Sequence, residues 1–204
     1  NAPILTPVWT NRIAPIPSCC ADSVAPYPVC YTNTIYPGYN FLADVLCRGT
    51  NNNLLDTLAG VVDGSVVLKW NVALQSYDTM AIYDSGFGGW VDANFNPITF
   101  LTSEPGEGFV LNNPGPAYTL VICGCEPLCP PPCLTNTTGL VLVGRHGVGP
   151  AYWTNLSSCP PTCGTIMNVW NPFTQDFTTY TYGASGWTPP LPAIGIGQSV
   201  FIRM

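Results

Sequence analysis

The chain has one histidine, His146, in the run V-G-R-H-G-V-G with Arg145 beside it. A serine-type hydrolase would need that imidazole as its general base. No G-x-S-x-G turn accompanies it, and the segment aligns with an ordinary strand elsewhere in the chain. A strand or loop residue is the better reading. Glu104 and Glu107 suggest the two carboxylates of a glycosidase, one giving and one taking a proton across the scissile bond. Glu107, however, belongs to a P-G-E-G turn, and its counterpart in the second half of the chain is Gln198, which cannot serve as a proton donor. Turn chemistry explains the pair. Asp92, Asn94 and Asn96 alternate oxygen-bearing side chains as calcium loops do. Pro97 stands where such loops need glycine, and no glutamate closes the loop. Asx turns account for the same residues, so calcium is a weak candidate and no other cofactor is expected. These constellations add up to no reaction, and the expectation is a protein that is not an enzyme.

Tryptophans can stack on sugar rings as well as fill cores. Trp70 and Trp170 recur at matched hairpin positions and read as core or hairpin staples. Trp90 and Trp187 lie beside glycine turns and are the candidate platform for a polysaccharide. The remaining chemistry is sulfur. Cys19, Cys20, Cys30, Cys47, Cys123, Cys125, Cys129, Cys133, Cys159 and Cys163 are even in number. In a chain this poor in charge they read as a disulfide framework formed in an oxidising compartment. The metal alternative rests on Cys123-Gly-Cys125 and Cys129-Pro-Pro-Pro-Cys133. Three consecutive prolines stiffen that segment and no histidine lies near it, so zinc is the weaker reading. The pairing itself cannot be read from the sequence.

Charged residues make up 8% of the 204 and hydrophobic ones 47%, so the chain is ordered despite 22 Pro and 20 Gly. Five Lys and Arg against eleven Asp and Glu leave no phosphate-tracking patch, which excludes nucleic acid as a partner. A surface so short of charge is either neutral, built of Thr, Asn, Ser and Gly, or lies against other subunits. The chain opens at Asn1, which reads as a mature product after removal of an export signal. No apolar run approaches the ~20 residues of a membrane-spanning helix. Asn136-Thr-Thr and Asn155-Leu-Ser are sequons that matter only in a eukaryotic secretory setting.

The elements that must position these residues are strands. Residues 1–37 carry seven prolines and should be extended, at a sheet edge or on a surface. From there the text is rich in β-branched and aromatic residues: 38–46, 65–71, 76–84, 107–113 and 117–123 read as strands. Residues 54–62 are the one plausible helix, with Asn53 as its N-cap. A Cys- and Pro-rich linker, 124–138, divides the chain, after which 139–147, 165–171, 176–183, 185–187 and 198–204 repeat the order. At an offset of 100, Gly64/Gly164, Trp70/Trp170, Asn71/Asn171, Gln75/Gln175, Thr79/Thr179, Ser85/Ser185 and Gly86/Gly186 are identical. Gly38 pairs with Gly139, and Gly106-Glu107 with Gly197-Gln198. The expectation is an internal duplication: module one over 38–123, module two over 139–204.

The first module carries G-Y-N-F-L at 38–42, D-G-S-V-V-L-K-W-N at 63–71, S-Y-D-T at 76–79, G-G-W at 88–90 and P-G-E-G-F at 105–109. In these it resembles β modules of secreted, often multi-module proteins of environmental bacteria. The resemblance covers roughly 38–124, and the second module retains it in degraded form. It implies a bacterial, extracellular address and no activity, and the dense cysteines depart from it.

The fold expected is therefore all-β: two duplicated antiparallel modules, as a sandwich or small barrels, stapled by disulfides. The function expected is structural, a secreted subunit of an extracellular filament or surface layer whose main partner is itself. Residues 1–17, through Ile4, Leu5, Val8, Trp9 and Ile13, would complete a neighbour's sheet by β-augmentation. The alternative is an extracellular carbohydrate-binding module using Trp90 and Trp187.

Overall fold

The computed structural model describes residues 29–48, 52–127, 130–134, 138–149 and 152–204. Its strands run in chain order as β1 (Val29–Ile35), β2 (Gly38–Ala43), β3 (Val66–Asn71), β4 (Ser76–Asp84), β5 (Gly89–Val91), β6 (Gly108–Asn113), β7 (Tyr118–Gly124), β8 (Leu140–Gly144), β9 (Ile166–Asn171), β10 (Asp176–Gly183), β11 (Gly186–Thr188) and β12 (Ser199–Arg203). One α-helical turn, α1 (Leu54–Thr57), and one 3-10 turn, Trp153–Asn155, complete it. The protein is all-β and disulfide-stapled. Among the described residues no helix is long and apolar enough to cross a membrane.

Among the described residues all strand pairing is antiparallel. Sheet I has the order β2-β6-β3-β4-β5 and sheet II the order β8-β12-β9-β10-β11, strand for strand the same arrangement. The two sheets pack face to face. Phe41 and Val110 of sheet I meet Leu142 and Phe201 of sheet II, flanked by Trp70 and Trp170. The outer face of sheet I is covered by a ribbon of β1 and β7 together with α1, around Ile35, Leu54, Phe109 and Ile122. The outer face of sheet II is covered by loops that bring in Leu134, Trp153, Leu156 and Ile194. Central strands are thus buried on both faces, which is why β6 reads G-F-V-L rather than alternating apolar and polar.

Residues 29–35, inside the Pro-rich segment, are extended as expected and form a regular strand, because V-C-Y-T-N-T-I-Y between Pro28 and Pro37 keeps every backbone donor. Two local outcomes differ from expectation. The helix stops at Thr57 rather than continuing to 62; Asn53 does cap it, accepting from the Leu55 N–H at 3.3 Å, but Gly60 at φ +87° turns the chain away. The offset of 100 also fails partway along. β4 carries a bulge against β3 at Lys69/Trp70, and β10 has none. Past it, Tyr83 corresponds to Tyr182, since both donate to the residue before the first strand of the hairpin: Ser65 in one case, Thr165 in the other. Trp90 then corresponds to Trp187, each opposite that tyrosine. The identities Thr79/Thr179, Ser85/Ser185 and Gly86/Gly186 are consequently not matched positions in space.

Candidate functional site

The residues that recur most faithfully build a contact between the sheets. In each W-N-x-x-x-Q hairpin the asparagine side chain closes the loop: Asn71 Oδ1 accepts from Ala73 and Leu74, and Asn171 Oδ1 accepts from Phe173. The glutamine then adopts a left-handed backbone, φ +51° at Gln75 and +55° at Gln175. That conformation aims its amide away from its own sheet. Gln75 Oε1 accepts from the Leu140 N–H (2.7 Å) and its Nε2 donates to Leu140 O (3.1 Å), both in β8. Gln175 does the same to Tyr39 in β2, accepting at 2.8 Å and donating at 3.2 Å. The tryptophans follow, Trp70 Nε1 donating to Leu140 O (2.9 Å) and Trp170 Nε1 to Tyr39 O (2.7 Å). Each primary amide therefore mimics a neighbouring peptide group, and each contact has a counterpart with the roles exchanged. Gly38 and Gly139 make room for it: a Cβ at either would stand 2.5–2.6 Å from the docked glutamine amide.

A second polar cluster lies at one end of sheet I. Lys69, the chain's single lysine, is buried, pairs with Glu107 Oε1 at 2.6 Å and donates to Thr102 O. Glu107 Oε2 accepts from the Glu104 N–H at 3.0 Å, closing the P-G-E-G turn. Gln198 closes the matching turn identically, accepting from the Gly195 N–H at 3.0 Å. Both oxygens of Glu107 are thus committed to structure, as the turn reading requires. Glu104 accepts from Asn52, and Asn52 in turn accepts from the Arg48 backbone. Arg48 pairs with the fully buried Asp44. Burial, the largest influence, pushes the Asp44 carboxyl above its ordinary value, against the opposing pull of Arg48. Position 145 corresponds to position 44, and there sheet II holds Arg145, buried and donating to Ile194 O at 3.0 Å. His146 is buried too, its ring lying over Gly106. It sits in packing, at the end of β8.

Of the two candidate sugar-stacking rings, Trp90 requires correction. Trp90 is 8% exposed, inside the core of sheet I and edge-on to Tyr83 at 5.4 Å. Trp187 occupies the matching place, wedged between Tyr182 and Trp153. The glycine turn beside Trp90 folds its ring inward, so Trp90 presents no stacking face, while Trp187 is half-buried. The exposed aromatic pair on that loop is instead Phe87 and Phe95, ring centroids 5.8 Å apart. Asp92 organises the loop as an Asx turn, accepting from the Asn94 and Asn96 backbones and the Asn96 amide. Among the described residues no three His, Cys, Asp or Glu side chains converge as a metal site would require.

The cysteines pair incompletely. Cys30 and Cys123 stand opposite each other in the β1–β7 register and are bonded, and Cys133 is bonded to Cys159. Cys47 is also disulfide-bonded. Cys125 and Cys163 carry free thiols, contrary to the expectation that all ten pair. Cys125 is held through its backbone instead, exchanging both hydrogen bonds with Cys47, and Cys163 is exposed in a turn. Cys19, Cys20 and Cys129 lie outside the described residues, as do Ile4, Leu5, Val8, Trp9 and Ile13. No protein-family model matches the chain, and no curated protein or solved structure matches it.

Proposed function

We propose that this chain is a structural subunit of a secreted extracellular filament or surface assembly, a homopolymer in which residues 1–17 of one copy complete a sheet of the next. The observation that carries this reading is apolar surface. Leu74, Phe87, Phe95, Phe100, Tyr152 and Phe173 are all exposed, Phe173 to 74%, on a chain whose charged share is 8%. Aromatic rings held in water favour contact with other protein over dispersion. Of the two surfaces that the composition left open, neutral-polar or subunit-facing, the exposed rings support the second. The disulfides support an address outside the reducing cytosol. The common strand order of sheets I and II and the reciprocal glutamines support an origin by internal duplication. The bacterial source rests on the motif resemblance alone.

The test is a truncation. Removing residues 1–17 is expected to abolish assembly, seen as fibres of the full chain in electron micrographs, and to leave a folded monomer by circular dichroism and sedimentation. Fibres that still form without those residues would refute the reading.

A further inference from the structure

An arriving strand needs an open edge, and the two sheets do not offer equal ones. β10 pairs with β9 over residues 176–181 but with β11 only over 181–183. Residues 176–180 therefore have no strand on their outer side among the described residues. The Tyr182 N–H donates to Thr165 across the hairpin. Antiparallel pairing alternates direction residue by residue, so Phe177 and Thr179 turn their N–H and C=O groups outward. In sheet I the same edge is spoiled. Asp78 is the bulged residue of β4, placing a carboxylate and an irregular backbone where pairing would have to run.

The side chains at the β10 edge show what an added strand would cover. Phe177 packs on Trp170 and Phe41, at 4.8 and 5.1 Å between ring centroids, yet is 42% exposed. It marks where the layer between the sheets opens to water. Asp176, one residue earlier, is exposed on the opposite face.

We infer that the edge of β10 at residues 176–180 is the acceptor for residues 8–14 of a second copy. This rests on the filament reading above and names its receiving surface. V-W-T-N-R-I-A is a proline-free window bounded by Pro7 and Pro15, so it keeps every backbone donor over a length that matches the open edge. Fourteen residues, 15–28, join this window to β1 at Val29, and they can span about 45–50 Å when extended, enough for the window to leave its own molecule. Side-chain parity agrees from two directions. Trp9 and Ile13 share one face and cover Phe177, which puts Arg12 on the other face with Asp176. An opposite-charge cross-strand pair adds to the same register.

The experiment uses the full-length chain. Hydrogen–deuterium exchange is measured on dispersed and assembled protein, alongside the variant Thr179→Pro, which removes an outward N–H and none that β9 uses. Assembly is expected to slow exchange at Phe177 and Thr179 at least tenfold. Thr179→Pro is expected to stay monomeric with an unchanged circular dichroism spectrum, while still capping the ends of wild-type fibres. Fibres whose 177–180 amides gain no protection overturn the acceptor assignment, as do Thr179→Pro chains that polymerise normally; both leave the filament reading standing. Protection already complete in the dispersed monomer also overturns it, since the edge is then filled by the chain's own segment. A full chain that never polymerises sinks the filament reading, and the acceptor with it. Should Thr179→Pro misfold, the exchange measurement on wild-type protein decides alone.

Discussion

Asp44 is completely buried, held by Arg48 on one oxygen and by the Leu46 N–H on the other. Its carboxyl is pushed above the ordinary value chiefly by desolvation. The native chain therefore keeps this proton at pH values where the unfolded chain has released it. With more protons bound to the native state, stability falls as pH rises from the ordinary carboxyl range through the raised native value. Asp44→Asn removes that dependence. Thermal melts from about pH 4 to about pH 8 should show a declining limb in the wild type that is flatter in Asp44→Asn. An equal slope in both proteins would mean that Asp44 ionises normally in the fold. The same backbone position in sheet II carries Arg145, so an acidic side chain in one sheet stands where the other has a basic one.

Among the elements, the two W-N-x-x-x-Q hairpins set the geometry of the molecule. Truncating Gln175 to Ala removes an exposed hydrogen bond to the Tyr39 N–H and should cost about 0.5–1.5 kcal/mol in urea unfolding with disulfides intact. Gln75→Ala should do the same through Leu140. A loss below a few tenths in both would show the amides to be replaceable by water. The repetition of Gly, Trp, Asn and Gln was legible in the sequence, because a local turn leaves a local signature. Their destination was not. Leu140 is 65 residues from Gln75 and Tyr39 is 136 from Gln175, and nothing in a hairpin's own spacing states which distant strand its amide will meet. Matching of positions failed at the bulge for the same reason. The extra residue at Asp78 and a β10–β11 turn two residues shorter than the β4–β5 turn together move Trp90 into register with Trp187, while chance identities nearby suggest another alignment. The edge strand β1 was legible as extended chain, but its partner β7 lies ninety-odd residues on, joined to it by the Cys30–Cys123 bond with a separation of 93.

At the scale of the whole molecule, two five-stranded sheets are pressed together and each is closed on its outer side, one by a ribbon and α1, the other by loops. The all-β class followed from composition and periodicity. The layering did not, because strands buried on both faces lose the alternation that reveals which side is which. The staples can be checked directly. A non-reducing digest should yield the Cys30–Cys123 and Cys133–Cys159 peptides, and thiol labelling of the native protein should modify Cys163 faster than the half-buried Cys125. Recovery of Cys163 in a disulfide within the monomer would contradict the fold at that turn.

The crossing of the two hairpins also sets an order of events. As the chain emerges, sheet I can form its strands, but Gln75 and Trp70 have nothing to hold until β8 has been made. The matching pair of sheet II reaches back to β2, among the earliest strands. Closing such long loops comes before any contact rewards it, which places this chain among the slow folders of high contact order. Sheet I therefore cannot complete its contacts alone: each sheet's hairpin reaches its final state only when the other sheet's first strand is in place.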